Sequence, residues 1–137
     1  MKLSKRDQTR LTGVHPKLIE VCVTAFELFD PQIIGIAGAK LTITEGVRTL
    51  EKQREYFKAG KSWTMNSYHL DGRAIDFAIT RGSDAFWEYP LFEKIWLACF
   101  RPAGHRLGVR LTWGGHWGTR DSPHIQIELN AKSVIKV

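Results

Sequence analysis

The chain has 137 residues and a mass of 15.6 kDa, a length that fits one domain and excludes two domains of ordinary size. Hydrophobic residues make up 43% and charged residues 25%, so the composition is typical of a globular protein and excludes wholesale disorder. The charge balance of 20 − 14 = +6 favours a polyanionic partner, either nucleic acid or an anionic cell envelope, but no uninterrupted basic run indicates a nucleic-acid tail.

The first residues of the chain carry charges without an apolar run, so they do not predict a secretory signal. We therefore expect the protein to stay in the cytosol unless another factor releases it. No window approaches the roughly 18 apolar residues of a membrane span. Cys22 and Cys99 both lie in apolar helical patterns, which predicts reduced core residues, with a single disulfide as the alternative.

The first half of the chain predicts two helices and a strand. Residues 16–29 carry an apolar stripe of helical spacing that ends at an Asp-Pro pair. Residues 41–47 alternate between apolar and polar side chains, which favours a strand. A second helix is predicted over about 50–59, with Thr49 as its N-cap, and residues 61–72 are predicted to form a loop.

The second half predicts three strands and one long helix. Residues 74–80 alternate as a strand. A helix is predicted from Pro90 through Phe100, with Leu107 as the alternative end and a kink or break expected at Pro102. Residues 109–113 and 124–129 alternate again. This order of elements predicts an α+β fold with a small, mostly antiparallel sheet flanked by helices, in a single domain over residues 1–137.

Three polar residues could form a catalytic zinc site. Asp76 and His124 lie on the polar sides of two predicted strands, and the loop before the first strand could bring His69 alongside them. Two imidazoles and one carboxylate would leave a fourth zinc position for water. The alternative is that Asp76 pairs with Arg73 or Arg110, because an unpaired buried carboxylate is costly.

Asp121 precedes His124 by three residues, a position from which a carboxylate could take a proton from the water on the metal. The alternative is an Asx turn before Pro123. Arg48 could hold a substrate carboxylate or stabilise an oxyanion, since Arg binds carboxylates through two nitrogens. The alternative for Arg48 is an exposed salt bridge to Glu45 or Glu51.

The segment at 113–118 is rich in glycine and tryptophan. The glycines favour a tight, mobile loop, and the tryptophans could line a cleft. In the alternative interpretation, Trp113 only ends a core strand. His116 is a further candidate for a ligand or a transition-state donor.

Together, these segments resemble the LAS-type zinc metallopeptidases. That group includes the VanY/VanX-type D-Ala-D-Ala peptidases, the phage L-alanyl-D-glutamate peptidases and, more remotely, the Hedgehog domain. SYHLDGRAID (67–76) is similar to the S-x-H-x-x-G-x-A-x-D signature. WGGHW (113–117) with DSPHIQ (121–126) resembles the second signature, and EGVRTLEKQ (45–53) resembles the G-x-R-T-x-x-x-Q segment.

The resemblance implies a Hedgehog/DD-peptidase-like fold and a zinc ion bound by His69, Asp76 and His124. It implies that Asp121 is the catalytic base, and that Arg48 stabilises the transition state or orients the substrate.

The resemblance also implies that Ser67 contacts the peptide or supports the site. Many relatives carry an acidic residue in the W-G-G-x-W segment, where this chain has His116. We therefore treat His116 as a candidate substrate-binding residue. The short length and the absence of a signal and of a wall-binding domain are similar to phage endolysins, as is an aspartate rather than a glutamate at position 121.

The leading hypothesis is therefore a zinc endopeptidase, a phage or prophage endolysin, that cuts the L-Ala–D-Glu bond of the peptidoglycan stem peptide. The resemblance implies a monomer in the host cytoplasm that reaches the wall through a holin. One alternative is a D,D-carboxypeptidase or dipeptidase of the same fold. Another is a catalytically silent binding module. Nucleic acid is not expected as a partner.

Overall fold

A computed structural model describes residues 1–62 and 67–129. The helices are α1 (Lys5–Arg10), α2 (Pro16–Leu28), α3 (Leu50–Lys58), α4 (Tyr89–Ile95) and α5 (Arg101–Leu107). The strands are β1 (Lys40–Glu45), β2 (Ala74–Arg81), β3 (Asp84–Phe86), β4 (Leu111–Trp113) and β5 (His124–Ile127). The predicted α+β class is confirmed, and residues 63–66 of the predicted loop lie outside the described residues.

β2 is the central strand of a five-stranded sheet with the order β1-β2-β5-β4, and β3 also pairs with β2. Every pairing among the described strands is antiparallel, as predicted. The first half of β2 pairs with β5, and its second half forms a hairpin with β3. The polar sides of β2 and β5 are therefore neighbours.

The other side of the sheet packs against the helices. Ile75, Phe77 and Ile79 are all fully buried, so the predicted alternation of β2 is confirmed. The Phe77 ring lies 5.1 Å from the ring of Phe92 and 4.9 Å from that of Phe100. Because this side is occupied by the core, chemistry in the sheet is confined to the opposite side.

The helix predicted from Pro90 to Phe100 or Leu107 is interrupted just before Pro102 by a π-helical turn rather than by a break at Pro102. This turn, Trp96–Phe100, joins α4 directly to α5. Proline has no N–H and crowds the carbonyl one turn before it, and the wider turn adapts the hydrogen-bond ladder to that defect. No loop therefore separates α4 from α5 within residues 89–107.

α1 is not among the predicted elements, because its six residues carry no apolar stripe. Ser4 and Asp7 form a capping box at its start. The Asp7 carboxylate, 1% exposed, also accepts hydrogen bonds from the Ile43 N–H at 2.8 Å and from the Thr42 hydroxyl at 3.1 Å. This buried carboxylate therefore fixes the N-terminal segment to β1.

Cys22 and Cys99 are unpaired in this structure and buried, which confirms the prediction that both lie in the core. Over residues 1–62 and 67–129, no helix combines the length and apolarity needed to cross a membrane.

Candidate metal centre

Asp76 and His124 lie directly opposite each other in the β2–β5 pairing. The Asp76 Oδ1 atom is 3.4 Å from His124 Nδ1 and 3.3 Å from His69 Nε2. Each of the three residues offers one ligand atom, and these atoms lie within 4.8 Å of one another, a grouping that could hold a metal ion. The structure thus brings the three predicted ligands together, and Asp76 faces the histidines rather than Arg73 or Arg110.

The polar atoms of this group fit a metal ion because hydrogen bonding does not satisfy them. His69 and His124 are buried, with exposures of 2% and 5%. Among the described residues, His69 Nε2 and Asp76 Oδ1 are buried without a hydrogen-bond partner. Such atoms are rare in native proteins and call for an explanation such as an ion.

His69 is positioned by two loops. It lies in a 3-10 turn, Tyr68–Asp71, and the Ser67 hydroxyl caps this turn by accepting a hydrogen bond from the His69 N–H at 3.2 Å. The imidazole Nδ1 lies 2.9 Å from the Gly46 carbonyl oxygen, which can only accept. Nδ1 therefore carries the proton, and the lone pair of Nε2 points towards Asp76.

His124 is oriented by a chain of polar side chains along β5. Its Nε2 lies 2.8 Å from Gln126 Oε1, and the Gln126 amide nitrogen donates to Glu128 at 2.6 Å. Glu128 also accepts a hydrogen bond from the Tyr68 hydroxyl at 3.1 Å. Because Glu128 fixes the direction of the Gln126 amide, Nε2 of His124 must donate, and Nδ1 is left to face Asp76.

The charges of this group are strongly coupled. Burial alone would raise the pKa of the Asp76 carboxyl, but the close approach of His124 and His69 outweighs burial and holds that pKa below its ordinary value. Burial likewise opposes protonation of His124, but the Asp76 carboxylate raises the pKa of that imidazole overall. Asp76 is therefore ionised at neutral pH and available as an anionic ligand.

Asp121 lies beside the three predicted ligands, with Oδ2 3.8 Å from His124 Nδ1. Its side chain is 48% exposed. Burial of the rest of the carboxyl and, after it, the negative charge of Asp76 raise the pKa of Asp121. A carboxylate with a raised pKa is a stronger base, and this one faces both solvent and the three predicted ligands.

The loop that carries Asp121 is fixed by the tryptophan-glycine segment. The Trp113 indole N–H donates to the Ser122 carbonyl at 2.7 Å, and Trp113 is fully buried. Gly114 and Gly115 are also buried in packing contacts rather than in an open loop, whereas Trp117 lines a cavity, as predicted for the tryptophans of this segment. The missing side chains of the two glycines make room for the Asp121 backbone and for the Trp113 ring.

Arg48 is buried in a polar network at the edge of the group. It forms an ion pair with Glu45 through Nε and Nη2, and Nη1 donates to Gln53 at 2.7 Å. Its guanidinium carbon lies 4.6 Å from the centre of the Tyr56 ring. The salt bridge to Glu45 named above as the alternative is present, but it is buried, since Arg48 is 9% exposed.

A cavity of about 760 Å³ opens onto these groups. Its lining includes His69, Asp76, His124, Asp121, Arg48 and Ser67. His116 is not among the described residues that line it. The His116 ring instead lies edge-on against Trp113 and Trp96, with ring centres 5.0 and 5.8 Å apart. The structure therefore gives His116 no contact with this cavity.

Several supporting residues were not predicted from the sequence. Glu45 was expected only as an exposed salt-bridge partner of Arg48, whereas it holds Arg48 from a partly buried position at an irregularity in the β1–β2 register. Gln126 and Glu128 could be placed on the polar side of β5 by alternation, but alternation gives no reason to link them to His124. Gly46 belongs to the G-x-R-T-x-x-x-Q segment, but its contact with His69 could not be predicted, because it is made by a backbone carbonyl.

The chain is similar to known proteins over nearly its whole length. A family model described as phage L-alanyl-D-glutamate peptidase matches residues 1–134. The L-alanyl-D-glutamate peptidase of Escherichia phage T5 is 29% identical over 132 residues, covering 93% of this chain and 89% of the relative. That of Listeria phage A118 is 38% identical over 90 residues, 65% of this chain, but the match spans only 31% of that longer relative.

A solved structure is also similar. The crystal structure of Serratia marcescens L-Ala D-Glu endopeptidase ChiX superposes with a TM-score of 0.78 and 32% sequence identity. The match covers 93% of this chain and 90% of that one. The resemblance therefore includes the fold as well as the motifs.

Proposed function

The chain belongs to the phage L-alanyl-D-glutamate peptidase family, and on this basis we propose that it is a zinc-dependent peptidoglycan endopeptidase that hydrolyses the L-Ala–D-Glu bond of the stem peptide. The observation that carries the proposal is the group of His69, Asp76 and His124, whose ligand atoms converge within 4.8 Å beside the Asp121 carboxylate. We propose that the catalytic domain spans residues 1–137.

Zinc is the metal that best matches this donor set. Two imidazole nitrogens and one carboxylate oxygen are typical ligands of catalytic zinc and leave a position open. When bound, zinc supplies a Lewis acid that polarises the scissile carbonyl and makes water more acidic. The Gly46 carbonyl and the Gln126 amide hold both imidazoles in the tautomers that such binding needs.

Asp121 is the general base. Water adds to the carbonyl carbon of L-Ala while its proton passes to the Asp121 carboxylate. The C–N bond then breaks, and Asp121 returns the proton to the nitrogen of D-Glu, which leaves as an amine. The raised pKa of Asp121 suits both transfers, because the same group must accept a proton and then release it.

Arg48 places a positive charge at the wall of the cavity, where it stabilises the negative charge that develops on the carbonyl oxygen. Its contacts with Glu45 and Gln53 hold it in place before the substrate arrives. Ser67 supports the site by capping the turn that carries His69. His116 supports the loop through its tryptophan contacts.

We further propose that the protein acts as a monomer on the bacterial cell wall after release from the host cytoplasm, with a holin providing access. The support for action on the cell wall is that the phage T5 and phage A118 relatives are named as L-alanyl-D-glutamate peptidases.

Mass spectrometry of digested, purified peptidoglycan tests the reaction. We expect soluble stem peptides with a new amino-terminal Glu, with L-Ala left on the muramyl group, and no release after treatment with a chelator. Free D-Ala as the main product would instead indicate a D,D-carboxypeptidase. No product from several wall types would favour a silent binding module.

A further inference from the structure

Four basic residues line the cavity that contains the three predicted metal ligands. Two of them form ion pairs with an acidic residue and, among the described residues, two do not. Arg48 and Lys52 both pair with the Glu45 carboxylate, Lys52 at 3.3 Å. Arg120 and Lys61 also line the cavity, and within residues 1–62 and 67–129 neither has an acidic partner within ion-pair distance. Because the carboxylates of Glu45, Asp76 and Asp121 also line the cavity, its formal charge among the described residues is 4 − 3 = +1.

Of these two, Arg120 is held in a defined position. Its guanidinium carbon lies 3.9 Å from the centre of the Tyr89 ring. Tyr89 is itself fixed, since its ring stacks on Trp113 with centres 5.3 Å apart and its hydroxyl donates to the Gly115 carbonyl at 3.3 Å. Stacking occupies the face of a guanidinium and leaves its N–H edge free for a planar anion.

Arg120 is also the chain neighbour of Asp121, so its Cα atom is about 3.8 Å from that of the proposed base. The base delivers its proton to the nitrogen of the D-Glu residue. Glutamate has two carboxyl groups, and a linear chain uses only one of them. Whether its α- or its γ-carboxyl forms the next peptide bond, D-Glu keeps a second carboxyl group close to the scissile bond.

We propose that Arg120 binds this free carboxylate of D-Glu and makes the enzyme selective for substrates in which it is not amidated. The inference rests on the proposed function. A guanidinium edge donates two parallel hydrogen bonds to a carboxylate, whereas an amide offers one acceptor oxygen and no charge. Loss of a charge-assisted pair corresponds to about a tenfold or larger change in kcat/KM.

The test uses two synthetic stem peptides that differ only in whether this carboxyl is free or amidated. The zinc-loaded wild-type protein should cleave the acidic peptide at least about tenfold more efficiently. Arg120→Gln should lower kcat/KM for the acidic peptide to about the value for the amidated one, and Arg120→Lys should restore part of the difference. Lys61→Gln is the matched control and should keep the wild-type ratio.

A wild-type ratio in Arg120→Gln, an equal loss on both peptides, or a collapse of the ratio in Lys61→Gln instead would overturn the proposal. Failure of the proposed function is distinguishable, because the wild type would then cleave neither peptide. In that case, peptide binding tests whether Arg120 forms a carboxylate site. The dissociation constants of both peptides are measured with Asp121→Asn, with and without Arg120→Gln, and equal values for the two peptides before Arg120 is changed would contradict a carboxylate site.

Discussion

The backbone of Gly114 lies directly against the backbone of Asp121. The Asp121 N–H donates a hydrogen bond to the Gly114 carbonyl oxygen at 2.9 Å. A β-carbon on Gly114 would overlap the Asp121 carbonyl oxygen and would lie 3.0 Å from the β-carbon of His124. This contact fixes the proposed base relative to one of the proposed ligands.

Gly114→Ala should therefore displace the Asp121 loop. We expect kcat to fall by about 100-fold, since small displacements of reacting groups have effects of that size, and we expect overpacking to lower the free energy of unfolding by about 1–3 kcal/mol. Gly118→Ala is the matched control, because nothing lies within 4 Å of a β-carbon there. Equal activity of the two variants would show that the Gly114 contact does not position the base.

Gln126→Ala should weaken metal binding without removing a ligand. The Gln126 side chain accepts the hydrogen bond of His124 Nε2 at 2.8 Å and so keeps Nδ1 free. Loss of such an orienting partner typically lowers metal affinity about 10–100-fold. Competition with a chromophoric chelator measures the affinity, with the exposed Gln8→Ala as control. An unchanged affinity would mean that His124 needs no such partner.

Asp121→Asn should keep the fold and the bound zinc but lose most turnover. General acid–base catalysis contributes about 10²–10⁴-fold, and the amide cannot accept the proton of water. Product release from peptidoglycan gives the rate, and elemental analysis gives the zinc content. Near wild-type turnover would reduce Asp121 to a residue that shapes its loop.

The raised pKa of Asp121 also predicts how the stability of the metal-free protein depends on pH. A carboxyl whose pKa is raised by folding contributes stability below its unfolded pKa, about 3.9, and loses that contribution as pH rises through the folded pKa. The wild type should therefore lose stability relative to Asp121→Asn between about pH 4 and neutral pH. Urea unfolding in the presence of a chelator tests this, and a pH-independent difference would contradict it.

The sequence predicts the elements that carry a strong apolar pattern. α2, α3 and β2 follow from their spacing, and Thr49 caps α3 as predicted. α1 could not be found in this way, because a buried carboxylate holds it to β1 rather than an apolar stripe. Its capping box, Ser4 with Asp7, is the one local signal that was present.

The metal ligands of the site could be predicted from the sequence, but most of the contacts that position the site residues could not. Alternation places Asp76 and His124 on polar strand sides, and the motif resemblance adds His69. The glycines of the 113–118 segment suggested mobility, yet Gly114 and Gly115 serve close packing, which depends on contacts between segments that composition does not report. The contacts of Arg48 with Glu45 and Gln53 likewise form only once β1 and α3 are in place.

The most direct test of the account is the zinc content of purified protein, measured together with activity. The wild type should hold one zinc per chain, and His69→Ala, Asp76→Ala and His124→Ala should each lose both zinc and peptidoglycan hydrolysis, while His105→Ala, at an exposed position, keeps both. Full zinc content and activity in all three ligand variants would contradict the account.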